Sequence, residues 1–114
     1  MTISEKLIND PIGANVKFVT TVPCKQLADV IEKIGHCTQI QHVPSNKEDE
    51  GMGLCAGAGA YLGGKRSWII MQNTTIGLTI NTLATLIQYY NIPLPMLISY
   101  RGEVGEKVAC QVEM

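Results

Sequence analysis

What this chain lacks excludes several functions at once. Among 114 residues there is one Trp and one Phe, and aromatic residues make up only 5%. No apolar run approaches the ~18 residues that cross a bilayer, so no membrane span is expected. Neither sign of charge dominates: nine Lys and Arg against ten Asp and Glu leave a net charge of −1. Without a basic stripe the chain has no electrostatic footprint for a nucleic-acid backbone. The opening MTISEKLIND lacks a charged-then-apolar leader, so the expected setting is cytoplasmic, with reduced thiols. The four cysteines at 24, 37, 55 and 110 form no C-x-x-C pair, which argues against a zinc knuckle or a dithiol redox site. Most of them read as small packed hydrophobes. Repeats and low-complexity linkers are missing as well.

What remains is a globular composition, 46% hydrophobic and 17% charged, in a length that suits one domain. Ser4 is placed to cap a short helix that Pro11 and Gly13 stop. Residues 16–22 read as a β-branched strand. Pro23 suits the first position of the next helix, whose stripe is Leu27, Val30, Ile31 and Ile34, closed by Gly35. Residues 38–43 make a weaker strand. Ser45-Asn46-Lys47-Glu48 has the form of a capping box and starts another helix. Residues 67–71 and 94–100 are two further apolar strands, with a helical stripe of Ile76, Ile80, Leu83, Ala84 and Ile87 between them. Apolar strands alternating with amphipathic helices predict an α/β domain: a parallel sheet with helices on both faces. Four strands are few for such a sheet, and the sequence stops at Met114 without a closing helix, so the domain over residues 1–114 is expected to be incomplete at its C-terminal side.

Parallel sheets bind ligands at the carboxyl ends of their strands. Four segments fall there: residues 22–24, 42–50, 72–77 and 99–103. The acidic run Glu48-Asp49-Glu50 opens a helix, where the dipole alone favours carboxylates. Gly51, Gly53, Gly57 and Gly59 crowd that helix, although each is a poor helix former, which implies a close approach to its backbone. The G-x-G pairs do not continue into a G-x-G-x-x-G dinucleotide fingerprint. Asn73 or Thr74 either caps a helix or faces a ligand together with Gln72. His42 stands at a strand end beside the acidic run, and His36 beside a helix end. Arg101 suits an anionic substrate through its planar fork, or else pairs with Glu103 or Glu106.

Several segments taken together resemble a known family. They are Phe18-Val19-x-x-Val22-Pro23-Cys24, Glu48-Asp49-Glu50-Gly51-x-Gly53-x-Cys55-Ala56-Gly57, Met71-Gln72-Asn73, Ile92-Pro93-Leu94 and residues 97–103. In this order they look like the alpha-subunit family of archaeal sulfopyruvate decarboxylase, and phosphonopyruvate decarboxylase is similar over the same stretch. Both are thiamine diphosphate enzymes, and the chain resembles their pyrimidine-binding domain from about residue 15 onward.

The resemblance implies a decarboxylase subunit acting on a small anionic 2-keto acid, 3-sulfopyruvate on the route to coenzyme M or else phosphonopyruvate. It implies that a Glu after the second strand hydrogen-bonds a ring nitrogen of the cofactor's aminopyrimidine. Glu48 fits the spacing with Gly51, Cys55, Ala56 and Gly57, and Glu50 fits with Gly53, Gly57, Ala58 and Gly59; we assign Glu48, because Ser45 then precedes it as a cap. Gln72 and Asn73 are implied cofactor contacts and Arg101 a substrate contact. The family's Gln-Asn-Ser-Gly-Leu-Gly-Asn stands here as Gln72-Asn73-Thr74-Thr75-Ile76-Gly77-Leu78. No Gly-Asp-Gly motif for a magnesium diphosphate occurs, so Mg2+ and the diphosphate are expected on a beta subunit, and no metal site on this chain. A non-catalytic, partner-binding fragment is the alternative of a different class.

Overall fold

The computed structural model of this protein describes residues 2–56 and 61–100. Strands β1 (Val16–Thr21), β2 (Gln41–Pro44), β3 (Arg66–Gln72) and β4 (Met96–Ser99) form one sheet in the order β2-β1-β3-β4. Every pairing is parallel. Helices cover both faces, as the alternation of strand and helix patterns predicts.

One core lies under α1 (Ile3–Gly13) and α2 (Ala28–Gly35) and consists of Val16, Val19, Val30, Ile34, Ile40 and Ile70. The other contains Phe18, Val22, Met52, Ile69, Met71, Ile87 and Ile92 and lies under α3 (Glu48–Ala56) and a helical rod over residues 73–88. Val16 and Phe18 are two residues apart and would share a face of a regular strand. They join opposite cores because the register against β3 shifts between them, an irregularity that turns the strand's alternation over.

The chain steps from β1 outward to β2 and then returns past β1 to β3 and β4. With one crossover hand, reversing direction moves the connecting helix to the other face, and α2 and α3 do lie against opposite cores. Such a reversal makes the carboxyl ends of β1 and β3 the place where open α/β sheets form a ligand crevice.

Several boundaries differ from the sequence reading. Thr2, not Ser4, caps α1: its hydroxyl accepts from the Glu5 amide at 3.1 Å, and Glu5 Oε2 accepts from the Thr2 amide at 2.9 Å. Pro11 does not stop this helix but lies inside it, buried. A proline that near the C-terminus forfeits one hydrogen bond, and here the ring recovers apolar burial. The turn after Pro23 is a 3-10 stretch (Lys25–Leu27), so α2 begins at Ala28. The second strand starts at Gln41 rather than residue 38, and β4 is confined to Met96–Ser99. The last helix starts earlier than its apolar stripe, as a 3-10 stretch (Asn73–Thr79), then α4 (Ile80–Thr82), then a π stretch (Leu83–Gln88). Thr79 and Thr85 hydroxyls donate to the carbonyls of Ile76 and Asn81, both at 2.7 Å. Such back-bonding competes with the regular helical ladder. Asn91, at φ 54°, ends the rod in the left-handed region that Asn tolerates best after Gly.

Candidate active site

Two adjacent threonines of β1 project to opposite faces and do different work. Thr20 Oγ1 donates to the Val43 carbonyl at 2.7 Å and so accepts from Ser45 Oγ at 2.5 Å. The Ser45 amide donates to the Thr21 carbonyl at 2.9 Å, continuing the β1–β2 ladder one residue past β2. Ser45 is therefore fixed at backbone and side chain, and α3 opens just beyond it. The helix starts at Glu48 rather than directly after Ser45. A Cβ on Gly51 would lie 3.2 Å from Ile69 Cδ1 and Thr20 Cγ2 and 3.3 Å from Ser45 Oγ. This glycine lets the first turn of α3 settle onto the sheet. Gly53 has nothing within 4 Å of such a Cβ, so the close approach that the glycine series implies is made at Gly51 and not at Gly53.

The acidic run is sorted by that contact. Glu48 shares a helical stripe with Gly51 and Met52, at i+3 and i+4, and is 3% exposed while Met52 is fully buried. Two residues on, roughly 200° around the helix, Glu50 is exposed. Asp49 is intermediate, yet its Oδ1 is buried without a hydrogen-bond partner among the described residues. A buried carboxylate in the opening turn also benefits from the helix dipole.

Around the crevice, the Val22 amide donates to the Ile70 carbonyl at 2.9 Å and carries β1 past its last paired residue. Cys24 Sγ and Ser99 Oγ, both buried, are hydrogen-bonded at 3.0 Å and tie the turn after β1 to the end of β4, spanning the end of β3. Gln72 and Asn73 are half-buried where β3 ends. Thr74 follows them with Oγ1 buried and unpartnered among the described residues. Arg101 lies outside the described residues. His42, for all its nearness in sequence to the acids, belongs to the opposite face. It shares a 2.8 Å hydrogen bond with Thr21 Oγ1, and a Cβ on Gly35 of α2 would lie 3.6 Å from its Nδ1. Burial holds its pKa below the usual 6.5.

No protein-family profile matches the chain. Sulfopyruvate decarboxylase subunit alpha of Methanococcus maripaludis is 40% identical over all 114 residues, which cover 67% of that protein. The subunit of the same name from Methanothermobacter thermautotrophicus is 42% identical over 101 residues, 89% of this chain and 60% of the relative. The chain belongs to the sulfopyruvate decarboxylase alpha-subunit family. It spans about two thirds of the first of these relatives and less of the second. Phosphonopyruvate decarboxylase of Streptomyces viridochromogenes is more distant, 32% identical over 95 residues that make up 23% of it.

Within this family chain, the structure brings Glu48, Gln72 and Asn73 to one end of the sheet, on α3 and past β3. It places His36 beside the end of α2 and His42 on β2, away from them. Four residues of that end carried no sequence signal as pairs: Thr20 with Ser45, and Cys24 with its distant partner Ser99. Their partners are 25 and 75 residues away, beyond any local pattern. The sequence spacing fits Glu48 and Glu50 alike; burial separates them, since Glu48 and Met52 are buried and Glu50 is exposed. Among the described residues no helix is long and apolar enough to cross a membrane.

Proposed function

We propose that this chain is the pyrimidine-binding part of the alpha subunit of a thiamine diphosphate-dependent decarboxylase. Its substrate is 3-sulfopyruvate, which with one proton becomes sulfoacetaldehyde and carbon dioxide. The observation that carries the reading is the carboxylate of Glu48: 3% exposed, in the first turn of α3, at the carboxyl end of a parallel sheet. The names of the family relatives supply the substrate. Two buried polar atoms without partners among the described residues, Asp49 Oδ1 and Thr74 Oγ1, stand at that same end, so the residues fit a polar ring laid over it.

When bound, thiamine diphosphate would supply an electron sink for the carbanion left by loss of carbon dioxide. The rest falls to the chain. Glu48 holds a proton against a ring nitrogen, and its burial beside Met52 keeps water from competing for it. The Thr20–Ser45 bond and the close seat of Gly51 hold Glu48 at a fixed height above the strand ends. Gln72 and Asn73 line the neighbouring wall, and Arg101 supplies a planar cation for the sulfonate or carboxylate. The Mg2+-diphosphate end belongs to a beta subunit. Leu78 and Ile80, 53% and 65% exposed on the rod, are large apolar side chains of the kind a second subunit covers.

The test is reconstitution of the complete alpha subunit with the Gly-Asp-Gly-bearing subunit, assayed for carbon dioxide release from 3-sulfopyruvate and from phosphonopyruvate. Cofactor-dependent turnover with a preference for sulfopyruvate is expected. Preference for phosphonopyruvate would reassign the substrate. A complex that forms but never turns over either compound would make the chain a binding partner only.

A further inference from the structure

The described residues leave two buried side-chain atoms without a hydrogen-bond partner, and both lie at the ligand end of the sheet. Asp49 belongs to the acidic opening of α3, where carboxylates are favoured for structural reasons alone. Thr74 has no such explanation. It is the second residue past β3, one of the two strands that bound the crevice. Its neighbours Thr79 and Thr85 show how a rod threonine ordinarily satisfies itself, by donating to a carbonyl three or four residues back. Thr74 does not follow them: residues 70 and 71, four and three back, belong to β3 rather than to a helical turn, and its Oγ1 has no partner among the described residues. A buried hydroxyl left unpaired is unfavourable, and a valine of nearly the same shape would fit at lower cost to the free protein.

We infer that Thr74 is a ligand contact: its hydroxyl forms its hydrogen bond with the molecule bound over the carboxyl end of the sheet. This rests on the decarboxylase reading and adds to it a residue beyond Glu48, Gln72, Asn73 and Arg101. The partner atom is an oxygen or ring nitrogen acceptor. Two molecules in the reaction offer one, the thiamine diphosphate and the 2-keto acid.

The experiment uses the complete alpha subunit with its partner subunit and compares wild type with Thr74→Val and Thr74→Ser. Three quantities are read: the Tm of the ligand-free complex, the Kd for thiamine diphosphate from calorimetric titration, and KM for 3-sulfopyruvate at saturating cofactor. For Thr74→Val the ligand-free Tm should be unchanged or higher, while one of the two affinities weakens by ~5–10-fold, the loss of one hydrogen bond. Thr74→Ser should keep both affinities. Weakening of Kd assigns the contact to the cofactor, and weakening of KM alone assigns it to the keto acid. Two results overturn the inference. One is a lower ligand-free Tm in Thr74→Val, which would give the hydroxyl a partner within the protein. The other is unchanged Kd and KM in that variant, which would leave it a merely buried group. If wild type itself neither binds thiamine diphosphate nor releases carbon dioxide, the decarboxylase reading fails first, and the wild-type measurement shows it separately.

Discussion

α2 and α3 are crossover helices of the same sheet, eight and nine residues long, and they are built on opposite terms. α2 places Val30 and Ile34, four residues apart, against Val16, Val19 and Ile70, so side chains fill the space between helix and sheet. α3 puts a glycine there. Its seat is Gly51 against Ile69 and Thr20, with Met52 as the apolar plug and Glu48 on the same stripe. α2 keeps its distance from the sheet and packs, whereas α3 comes close and delivers a carboxylate. Only the second arrangement takes a charge-bearing group out of water at the carboxyl end of the sheet.

The largest effect should come from breaking the α3 side of that contrast. Glu48→Gln keeps shape and burial and removes the group proposed to hold the proton, so kcat in the reconstituted complex should fall by ~10²–10⁴-fold with the fold intact. Glu50→Gln, on the exposed side, should leave kcat within a factor of about two, a difference too small to need a catalytic role. The reverse ranking would transfer the role to Glu50. Next come the apolar anchors. Ile34→Ala and Met52→Ala each delete a fully or nearly fully buried side chain and should each cost ~2–5 kcal/mol in urea unfolding. Their activities should part. Ile34→Ala should keep its kcat per folded molecule, and Met52→Ala should lose part of it, because Met52 is buried on the same stripe of α3 as Glu48, one turn on. Equal kcat in the two would show that α3 holds its carboxylate without its plug.

How far this was legible in the sequence follows the same contrast. The stripe of α2 is a periodic apolar pattern, and the pattern located it to within a turn. The parallel sheet was legible for the same reason, since its strands are apolar on both faces. α3 has almost no apolar stripe: it reads Glu-Asp-Glu-Gly-Met-Gly, and only the capping-box form of residues 45–48, its acids, its glycines and the family spacing marked it. What fixes it is a hydroxyl chain from Val43 through Thr20 to Ser45, formed by residues distant in sequence. The cap of α1 was misplaced for a smaller reason: Thr2 and Glu5 form the capping box two residues before Ser4. The 3-10 and π windings of the rod leave the apolar stripe intact and have no signature in it.

A sharper probe of the close approach compares two glycines of α3. Gly53→Ala meets open space and should stabilise by up to ~1 kcal/mol through helix preference alone. Gly51→Ala has the same preference, but its methyl would sit 3.2 Å from two side-chain carbons, and overpacking of ~1–3 kcal/mol should cancel or exceed it. To relieve that contact α3 must lift by a few tenths of an ångström and take Glu48 with it. Activity should fall up to ~10-fold, short of the ~10²-fold that a 1 Å displacement costs. Gly51→Ala with full activity and raised Tm would mean the helix has slack there.

The smallest effect is expected from the α2 face, and it separates the two faces by pH. His42 is half-buried against Thr21 and Gly35, and burial lowers its pKa from 6.5. Above pH 6.5 the ring is neutral in folded and unfolded chains alike, and its contribution to stability is complete. Between 6.5 and the lowered folded value the unfolded chain binds more protons, so stability falls as pH falls through that window. Urea midpoints measured from pH 7.5 down to 5.0 should therefore decline in wild type more steeply than in His42→Asn. The same substitution should leave the pH dependence of kcat in the complex unchanged, since His42 lies across the sheet from Glu48. A kcat profile that shifts with His42→Asn would show that the two faces communicate, and the division between a packing face and a reacting face would fail.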